Sequence, residues 1–146
     1  GIMKHDIESI LEALQKESKT GVIKLTKTML DKHIIDANKS VRELAASIGI
    51  SYIDIKAGEK RTIEGRFYIG KKPVKFLWFK TKKLEPDFIT CKVSFYKTKT
   101  RGDKRFSITG LTKQAIAGDT IAITTDSEGA LVINVNRLVE KDWSIE

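Results

Sequence analysis

Apolar positions recur with two different periods along this 146-residue chain. In residues 4–18 they fall three or four positions apart with charged residues between them, which predicts an amphipathic N-terminal helix. Beyond residue 50 they alternate with polar residues, in the segments 53–56, 63–69, 74–78, 89–96, 121–123 and 131–135. A period of two is typical of strands with one buried and one exposed face. The pattern therefore predicts a mainly β (α+β) domain with few helices.

The stretch between the first helix and these strands predicts shorter elements. Residues 22–26 predict a strand, and residues 27–37 predict a helix. Ser40-Val41-Arg42-Glu43 has the spacing of a capping box, in which a Ser side chain and a Glu three positions later satisfy the first N–H groups of a helix. We therefore expect a helix that begins at Ser40 and stops at Gly49.

So many short strands must close up or pair into two layers to protect their edges. We expect a seven- or eight-stranded open pseudobarrel over residues 21–138, with the helix of residues 4–18 in front of it. No repeat, low-complexity tract or linker interrupts the pattern, so residues 1–146 are expected to form a single domain.

Composition narrows the class of protein. Cys91 is the only cysteine, which excludes an internal disulfide, and two histidines beside it do not make an all-protein zinc site. We expect no metal and no cofactor. No apolar stretch approaches the roughly 20 residues that a membrane helix needs, so we expect a soluble intracellular domain without a membrane partner.

The net charge of +8 is concentrated in one segment. Residues 1–55 carry eight basic and eight acidic side chains, and residues 106–146 carry three and six. Residues 56–105 carry sixteen basic and five acidic side chains, a surplus of eleven. A local surplus of this size attracts polyanions, nucleic acid ahead of an anionic membrane surface. Solubility charge is the alternative interpretation.

The densest part of this segment is the connection between two predicted strands. Residues 97–103 follow the strand of residues 89–96 and carry Lys, Thr and Arg side chains, all of which donate hydrogen bonds to phosphate. Arg101 and Arg105 can also form paired hydrogen bonds with guanine, and Asp103 can accept from cytosine. An acid among bases is unhelpful for phosphate binding. Asp103 therefore either reads a base edge or orients an arginine, unless it forms a plain ion pair within the loop.

The same residues resemble a known family. Tyr96-Lys97 and Thr100-Arg101-Gly102-Asp103-Lys104-Arg105-Phe106-Ser107 are similar to a stretch in the effector-binding domain of EcoRII-type restriction endonucleases. Those domains belong to the DNA-binding pseudobarrels, together with the plant B-three transcription factors. The resemblance covers about a dozen residues. The segment "LTKQAIAGDTIAI" (residues 111–123) adds a short helix and a turn that also recur in such barrels.

The resemblance implies a domain that holds double-stranded DNA in the major groove between two arms. It implies a C-terminal arm at residues 97–105, where an acid-Lys-Arg trio contacts bases and backbone. Gly102 and Asp103 replace the Asn and Glu of the family, which affects the recognised sequence more than the binding mode. Topology suggests an N-terminal arm either after the first strand or in the basic run "KAGEKRTIEGR". The candidate DNA-binding residues are Lys97, Thr98, Lys99, Thr100, Arg101, Asp103, Lys104, Arg105, Lys60, Arg61 and Arg66.

Three other motifs compete with this interpretation. Residues 40–51 resemble the start of a helix-turn-helix, but a strand pattern follows where the recognition helix should be. Asp54-Ile55-Lys56 has the acid-x-Lys spacing of metal-dependent nucleases, without the upstream acid that such enzymes need. The aromatic residues Phe76, Trp78, Phe79 and Trp143 could stack on single-stranded bases, although packing in the core and at the barrel end explains them better.

The sequence thus predicts a domain that recognises a short duplex DNA sequence for a larger bacterial or archaeal restriction enzyme in the cytoplasm. A nuclease or translocase domain, fused or associated, would supply the catalysis, and the domain itself is not expected to be an enzyme. The alternatives are a barrel that binds RNA or single-stranded nucleic acid, and a small metal-dependent nuclease domain.

Overall fold

Seven strands of the chain curl into an open half-barrel, which confirms the expected mainly β fold class. The computed structural model describes residues 19–75 and 82–138. Its strands are β1 (Gly21–Lys24), β2 (Ile35–Asp36), β3 (Lys60–Lys75), β4 (Lys82–Lys97), β5 (Lys104–Ile108), β6 (Thr120–Thr125) and β7 (Leu131–Asn136).

The sheet is built around one long hairpin. Its strand order is β1-β6-β7-β3-β4-β5-β2. β3 and β4, with 16 residues each, form the hairpin at the centre. All neighbouring strands are antiparallel except β3 and β7, which pair in parallel over Gly65–Phe67. One end of this hairpin carries the two loops that form the site described below.

The concave side of the sheet holds the hydrophobic core. The alternation in the sequence predicts these inward positions, and the structure buries them completely or nearly so. They include Phe67, Val93, Phe95, Phe106, Ile121, Ile123, Leu131 and Ile133. Burying each large apolar side chain stabilises the fold by roughly 1.5–3 kcal/mol, so this face fixes the register of the sheet.

Three short helices lie beside the strands: α1 (Lys27–Lys32), α2 (Lys39–Ser47) and α3 (Leu111–Gln114). The expectation that α2 begins at Ser40 is wrong. Asn38 is the N-cap, and its side chain accepts a hydrogen bond from the Val41 N–H at 3.0 Å. The hydroxyl of Ser40 instead bonds to the backbone of Val22 and to Asn38, and so ties the helix to β1.

Two other local expectations are also wrong. Residues 27–37 are not one helix: α1 ends at His33, which adopts a left-handed conformation (φ +54°), and β2 follows. The expected strand around Ile53 is a 3-10 turn over Tyr52–Asp54. Ile53 is 85% exposed there, because the turn buries its neighbours Tyr52 and Ile55 instead.

The inward alternation of β3 also breaks at one point. Ile69 was expected to face the core with Phe67, but the register of β3 against β4 shifts between Tyr68 and Gly70. Ile69 is therefore the extra residue of a β-bulge and is 44% exposed. The helix expected over residues 4–18, and Phe76, Trp78, Phe79 and Trp143, lie outside the described residues.

One buried acid joins the end of β7 to the loop before β6. Asp119 is 1% exposed and accepts two hydrogen bonds of 2.9 Å from the Arg137 guanidinium. It also accepts one from the Ile116 N–H at 2.9 Å. These bonds, those from Arg137 first, hold the pKa of Asp119 below its ordinary value. Across residues 19–75 and 82–138, no helix is long and apolar enough to cross a membrane.

Candidate nucleic-acid interface

Two basic loops meet at one end of the central hairpin. The loop of residues 56–59 leads into β3, and a turn over residues 98–103 joins β4 to β5. The Gly58 N–H donates to the Lys97 carbonyl at 2.9 Å, and the Lys97 N–H donates to the Glu59 carbonyl at 3.4 Å. The two loops are therefore joined through their backbones, although about forty residues separate them in the sequence.

Gly58 allows this close approach. It adopts a φ of +82°, which L side chains rarely adopt. A Cβ atom at this position would lie 2.9 Å from the Cγ atom of Lys99. The absent side chain thus leaves room for the Lys99 stem to cross the first loop.

The turn of residues 98–103 is held by its own hydrogen bonds. The Thr98 hydroxyl accepts from the Asp103 N–H at 2.9 Å, and the Thr98 N–H donates to the Asp103 carbonyl at 3.1 Å. The Gly102 N–H donates to the Thr98 carbonyl at 3.0 Å. Thr98 therefore shapes the turn with its hydroxyl, whereas Lys99, Thr100 and Arg101 are exposed around its tip.

The two loops together concentrate positive charge. Residues 56–61 and 97–105 contain eight basic and only two acidic side chains. We call these two segments the loop cluster. Its basic residues are Lys56, Lys60, Arg61, Lys97, Lys99, Arg101, Lys104 and Arg105.

Four of the five basic side chains in residues 97–105 have no acidic neighbour in the described part of the chain. No carboxylate oxygen in residues 19–75 and 82–138 lies within 4.0 Å of the charged groups of Lys97, Lys99, Arg101 or Lys104. Arg61 is different, since its Nε lies 3.1 Å from the Glu59 carboxylate. The four residues without a carboxylate are free to bind phosphate.

Arg105 lies between two acids. Its Nε donates to Asp36 Oδ1 at 3.3 Å, and its Nη2 donates to Asp103 Oδ2 at 3.4 Å. These two contacts and the low exposure of the Arg105 side chain (23%) restrict its position. Because a guanidinium has five N–H donors, three remain for another partner. The ion pair that the sequence left open for Asp103 is present, and it is also an arrangement that orients an arginine.

The backbone under Arg105 is fixed as well. The Tyr52 hydroxyl donates to the Arg105 carbonyl at 2.7 Å, and the Tyr52 ring packs edge-on against Phe95 with centroids 6.2 Å apart. Burial raises the pKa of Tyr52, so the hydroxyl stays protonated and keeps donating. The loop cluster thus rests on a rigid part of the core.

An aromatic face lies beside the cluster. The Nζ atom of Lys60 sits 5.5 Å from the centroid of the Tyr96 ring, within the range of a cation–π contact. Tyr96 is half-buried on the outer face of β4, next to Arg105 of β5. Lys60, which belongs to the loop cluster by its place in residues 56–61, therefore also contacts Tyr96 beside Arg105.

Arg66 lies elsewhere, further along β3. Its Nη2 donates to Asp126 at 2.9 Å, and its guanidinium stacks 4.1 Å from the Phe88 ring centroid. Six residues of strand separate it from Lys60, about 20 Å. The structure therefore brings ten of the eleven candidate residues together and places Arg66 outside the group.

Sequence reasoning missed two residues that support the site. Asp36 and Tyr52 both contact Arg105, from 69 and 53 positions away in the chain. Local patterns carry no signal for such contacts, since each depends on the folded sheet. Lys56 belongs to the basic run "KAGEKRTIEGR" but was not among the candidate residues. The nearby Gly58 was the only hint in the sequence that this loop approaches another part of the chain closely.

The Asp54-Ile55-Lys56 triplet belongs to the 3-10 turn and the loop that follows it, not to a strand. Within the described ranges, no three His, Cys, Asp or Glu side chains come close enough together to hold a metal ion.

A scan against protein-family models, a search of curated proteins and a search of solved structures gave no match to this chain.

Proposed function

We propose that this domain binds double-stranded DNA and recognises a short sequence through the loop cluster, as the target-recognition domain of a restriction endonuclease. The observation that carries the proposal is the joining of residues 56–61 and 97–105 into one surface with eight basic and two acidic side chains. A surface of this charge attracts the phosphate backbone and releases condensed counterions on binding.

Recognition of a base sequence requires directional contacts with base edges as well as charge, and Arg105 is the residue suited to make them. Its guanidinium is held by Asp36 and Asp103, so it loses little side-chain entropy when it binds. An arginine with three free N–H groups suits the O6 and N7 atoms of guanine. The four basic residues without a carboxylate, at and around the turn tip, would bind phosphates on either side.

The restriction-enzyme assignment rests on the resemblance at residues 96–107 together with the half-barrel fold. In that role the segment of residues 97–105 corresponds to the C-terminal arm. Lys60 and Arg61, which the structure places against it, are proposed as part of the same surface. Catalysis would come from a nuclease or translocase domain that is fused to this one or associates with it.

A selection experiment tests the proposal. Duplexes that the chain retains from a random pool should converge on one short sequence, and binding to that sequence should weaken steeply as salt rises from 50 to 200 mM. Competition with single-stranded DNA and RNA of the same sequence should not displace the duplex. A retained pool without any shared sequence would contradict recognition, and stronger binding of the single strands would favour the single-strand alternative.

A further inference from the structure

The central hairpin continues beyond the rest of the sheet. In the described part of the chain, β7 pairs with β3 only over Gly65–Phe67, and β5 pairs with β4 only over Val93–Lys97. Residues 68–75 of β3 and 82–88 of β4 pair with each other alone. We call these two segments the ribbon. Eight residues of strand extend about 26 Å.

The base of the ribbon is held by aromatic contacts. Tyr68 and Phe88 pack edge to face with ring centroids 5.9 Å apart. The Arg66 guanidinium stacks on the Phe88 ring, 4.1 Å from its centroid. An isolated two-stranded hairpin is only marginally stable in water. These contacts therefore connect the ribbon to the half-barrel.

The β-bulge at Ile69 determines which way the lysines of the ribbon face. Before the bulge, odd-numbered residues of β3 such as Phe67 face the core. The extra residue reverses this alternation, because β4 continues without a shift. Lys71 and Lys75 therefore lie on the same face of the hairpin as Lys60. Without the bulge they would lie on the opposite face.

The two faces of the ribbon differ in charge. On the face that continues the core side, Lys72 lies 3.6 Å from the Asp87 carboxylate, opposite Glu85 on the paired strand. On the outer face, Lys71 and Lys75 are exposed. Among the described residues no carboxylate lies within 4.0 Å of either ammonium group. The outer face alone carries uncompensated positive charge.

The edges of the ribbon are blocked against another strand. Pro73 lies within β3 and Pro86 within β4, and proline cannot donate a backbone hydrogen bond to an added strand. Proline and lysine at sheet edges are the usual means by which proteins prevent strand addition. A peptide partner that extends the sheet is therefore disfavoured, which leaves the faces as binding surfaces.

We propose that the outer face of the ribbon is a second DNA contact, in which Lys71 and Lys75 bind phosphates of the same duplex that the loop cluster recognises. This inference rests on the proposed function. Eleven residues of strand separate Lys60 from Lys71, at most about 36 Å. That distance is close to one helical turn of DNA, about 34–36 Å. A duplex bound at the loop cluster therefore needs about one helical turn to reach Lys71.

Neighbouring lysines provide a matched test. Lys71→Ala and Lys72→Ala remove the same charge from adjacent positions on opposite faces of the ribbon. Each phosphate contact contributes about 0.9 to the slope of log K against log salt, which is worth up to about eightfold in affinity at 0.1 M salt. On a duplex of about 24 base pairs, Lys71→Ala should lower the slope by about one and weaken binding by up to about eightfold. Lys72→Ala should leave both near wild type.

Duplex length locates the contact. A duplex of about eight base pairs, closed by a hairpin loop, is roughly 27 Å long and cannot reach from the loop cluster to Lys71. On this duplex Lys71→Ala should bind like wild type, whereas Lys99→Ala should bind more weakly. Lys71→Arg, which keeps the charge, should restore binding to the long duplex, and melting curves of all variants exclude unfolding as the cause.

The outcomes separate the two proposals. If wild type binds neither duplex, the proposed function fails and this inference fails with it. If Lys99→Ala weakens binding but Lys71→Ala behaves like Lys72→Ala on the long duplex, only the ribbon contact is overturned. The same holds if Lys71→Ala lowers binding to phosphatidylserine vesicles and leaves duplex binding at the wild-type level, since the face would then serve an anionic membrane.

Discussion

Removing the carboxylate of Asp103 should distinguish recognition of bases from simple attraction to phosphate. Asp103 Oδ2 lies 3.4 Å from Arg105 Nη2, and Asp36 Oδ1 lies 3.3 Å from Arg105 Nε. Asp103→Ala and Asp36→Ala therefore remove the same charge from the same guanidinium. They differ in that Asp103 belongs to the turn, whereas Asp36 belongs to β2 and is 77% exposed.

The two interpretations predict effects of opposite sign. If the turn only attracts phosphate, loss of a carboxylate about 7 Å from a phosphate removes a repulsion of about 0.6 kcal/mol in water. Salt screens part of this, so Asp103→Ala would strengthen binding to any duplex about twofold. If Asp103 accepts from a base or orients Arg105 onto one, its loss costs about 1–3 kcal/mol on the preferred site. That is a weakening of roughly 5- to 150-fold.

Fluorescence anisotropy titrations at 0.1 M salt measure both effects, with the selected duplex and a scrambled duplex of equal length. We expect Asp103→Ala to lose affinity for the selected duplex and to gain about twofold on the scrambled one. Asp36→Ala leaves the turn intact but removes one of the two contacts that hold Arg105, so it should weaken binding to the selected duplex less than Asp103→Ala does and change binding to the scrambled duplex by about twofold or less. The reasoning is refuted if Asp103→Ala binds the selected duplex as well as wild type or better, with an unchanged ratio between the two duplexes.

Three further predictions concern charge, backbone and acid stability. Lys99→Ala should lower the salt slope of duplex binding by about one, whereas Lys24→Ala, on an exposed position of β1 three strands from β3, should not change it. Gly58→Ala must adopt a φ of +82° beside the Lys99 stem, so it should cost about 1–3 kcal/mol in thermal or denaturant unfolding and weaken duplex binding. Because the pKa of Asp119 is lowered from 3.8, its stabilising effect is complete above that pH and is lost as the pH falls through the lowered pKa. Asp119→Asn, which keeps an acceptor for the Ile116 N–H, should therefore lose less melting temperature between pH 5 and pH 2 than wild type does; an equal loss would contradict the assignment.

The sheet could be predicted because its signal is local. Phe95 and Phe106 alternate with polar neighbours in their own strands, and the two side chains pack together with ring centroids 6.5 Å apart. Burial of one face imposes this alternation wherever a strand is regular. The same rule predicts that Lys92, between the buried Cys91 and Val93, lies on the outside of β4, and it is exposed there.

Prediction failed where the backbone left the regular period. Around Ile53, the alternating pattern fits a strand, but burial of Tyr52 and Ile55 three residues apart fits a 3-10 turn equally well. At Ile69, one extra residue reverses the pattern, and the sequence marks it only by Gly70, which adopts a φ of +114°. At the start of α2, Asn38 and Ser40 are both good caps, and the bonds of Ser40 to Val22 decide between them.

The candidate site was partly predictable because part of its signal is also local. The turn of residues 98–103 is a local feature, and its basic composition is visible in the sequence. Its partner loop is not, because the bridge between Ala57 and Lys97 depends on the pairing of β3 with β4. The carboxylate of Asp36 reaches Arg105 only because β2 pairs with β5 at the edge of the sheet.

The surplus of positive charge in residues 56–105 therefore has a geometric explanation. The described residues of this segment form the central hairpin and its flanking loops, and most of their basic residues lie either in the loop cluster at one end or in the ribbon at the other. A continuous pair of strands transmits orientation between its ends, since hydrogen-bonded residue pairs recur along it. A duplex oriented by the loop cluster would pass the ribbon at a fixed angle, and the bulge at Ile69 gives the ribbon lysines the face that meets it. The position of charge along this hairpin, more than its total, would then determine how the domain holds DNA.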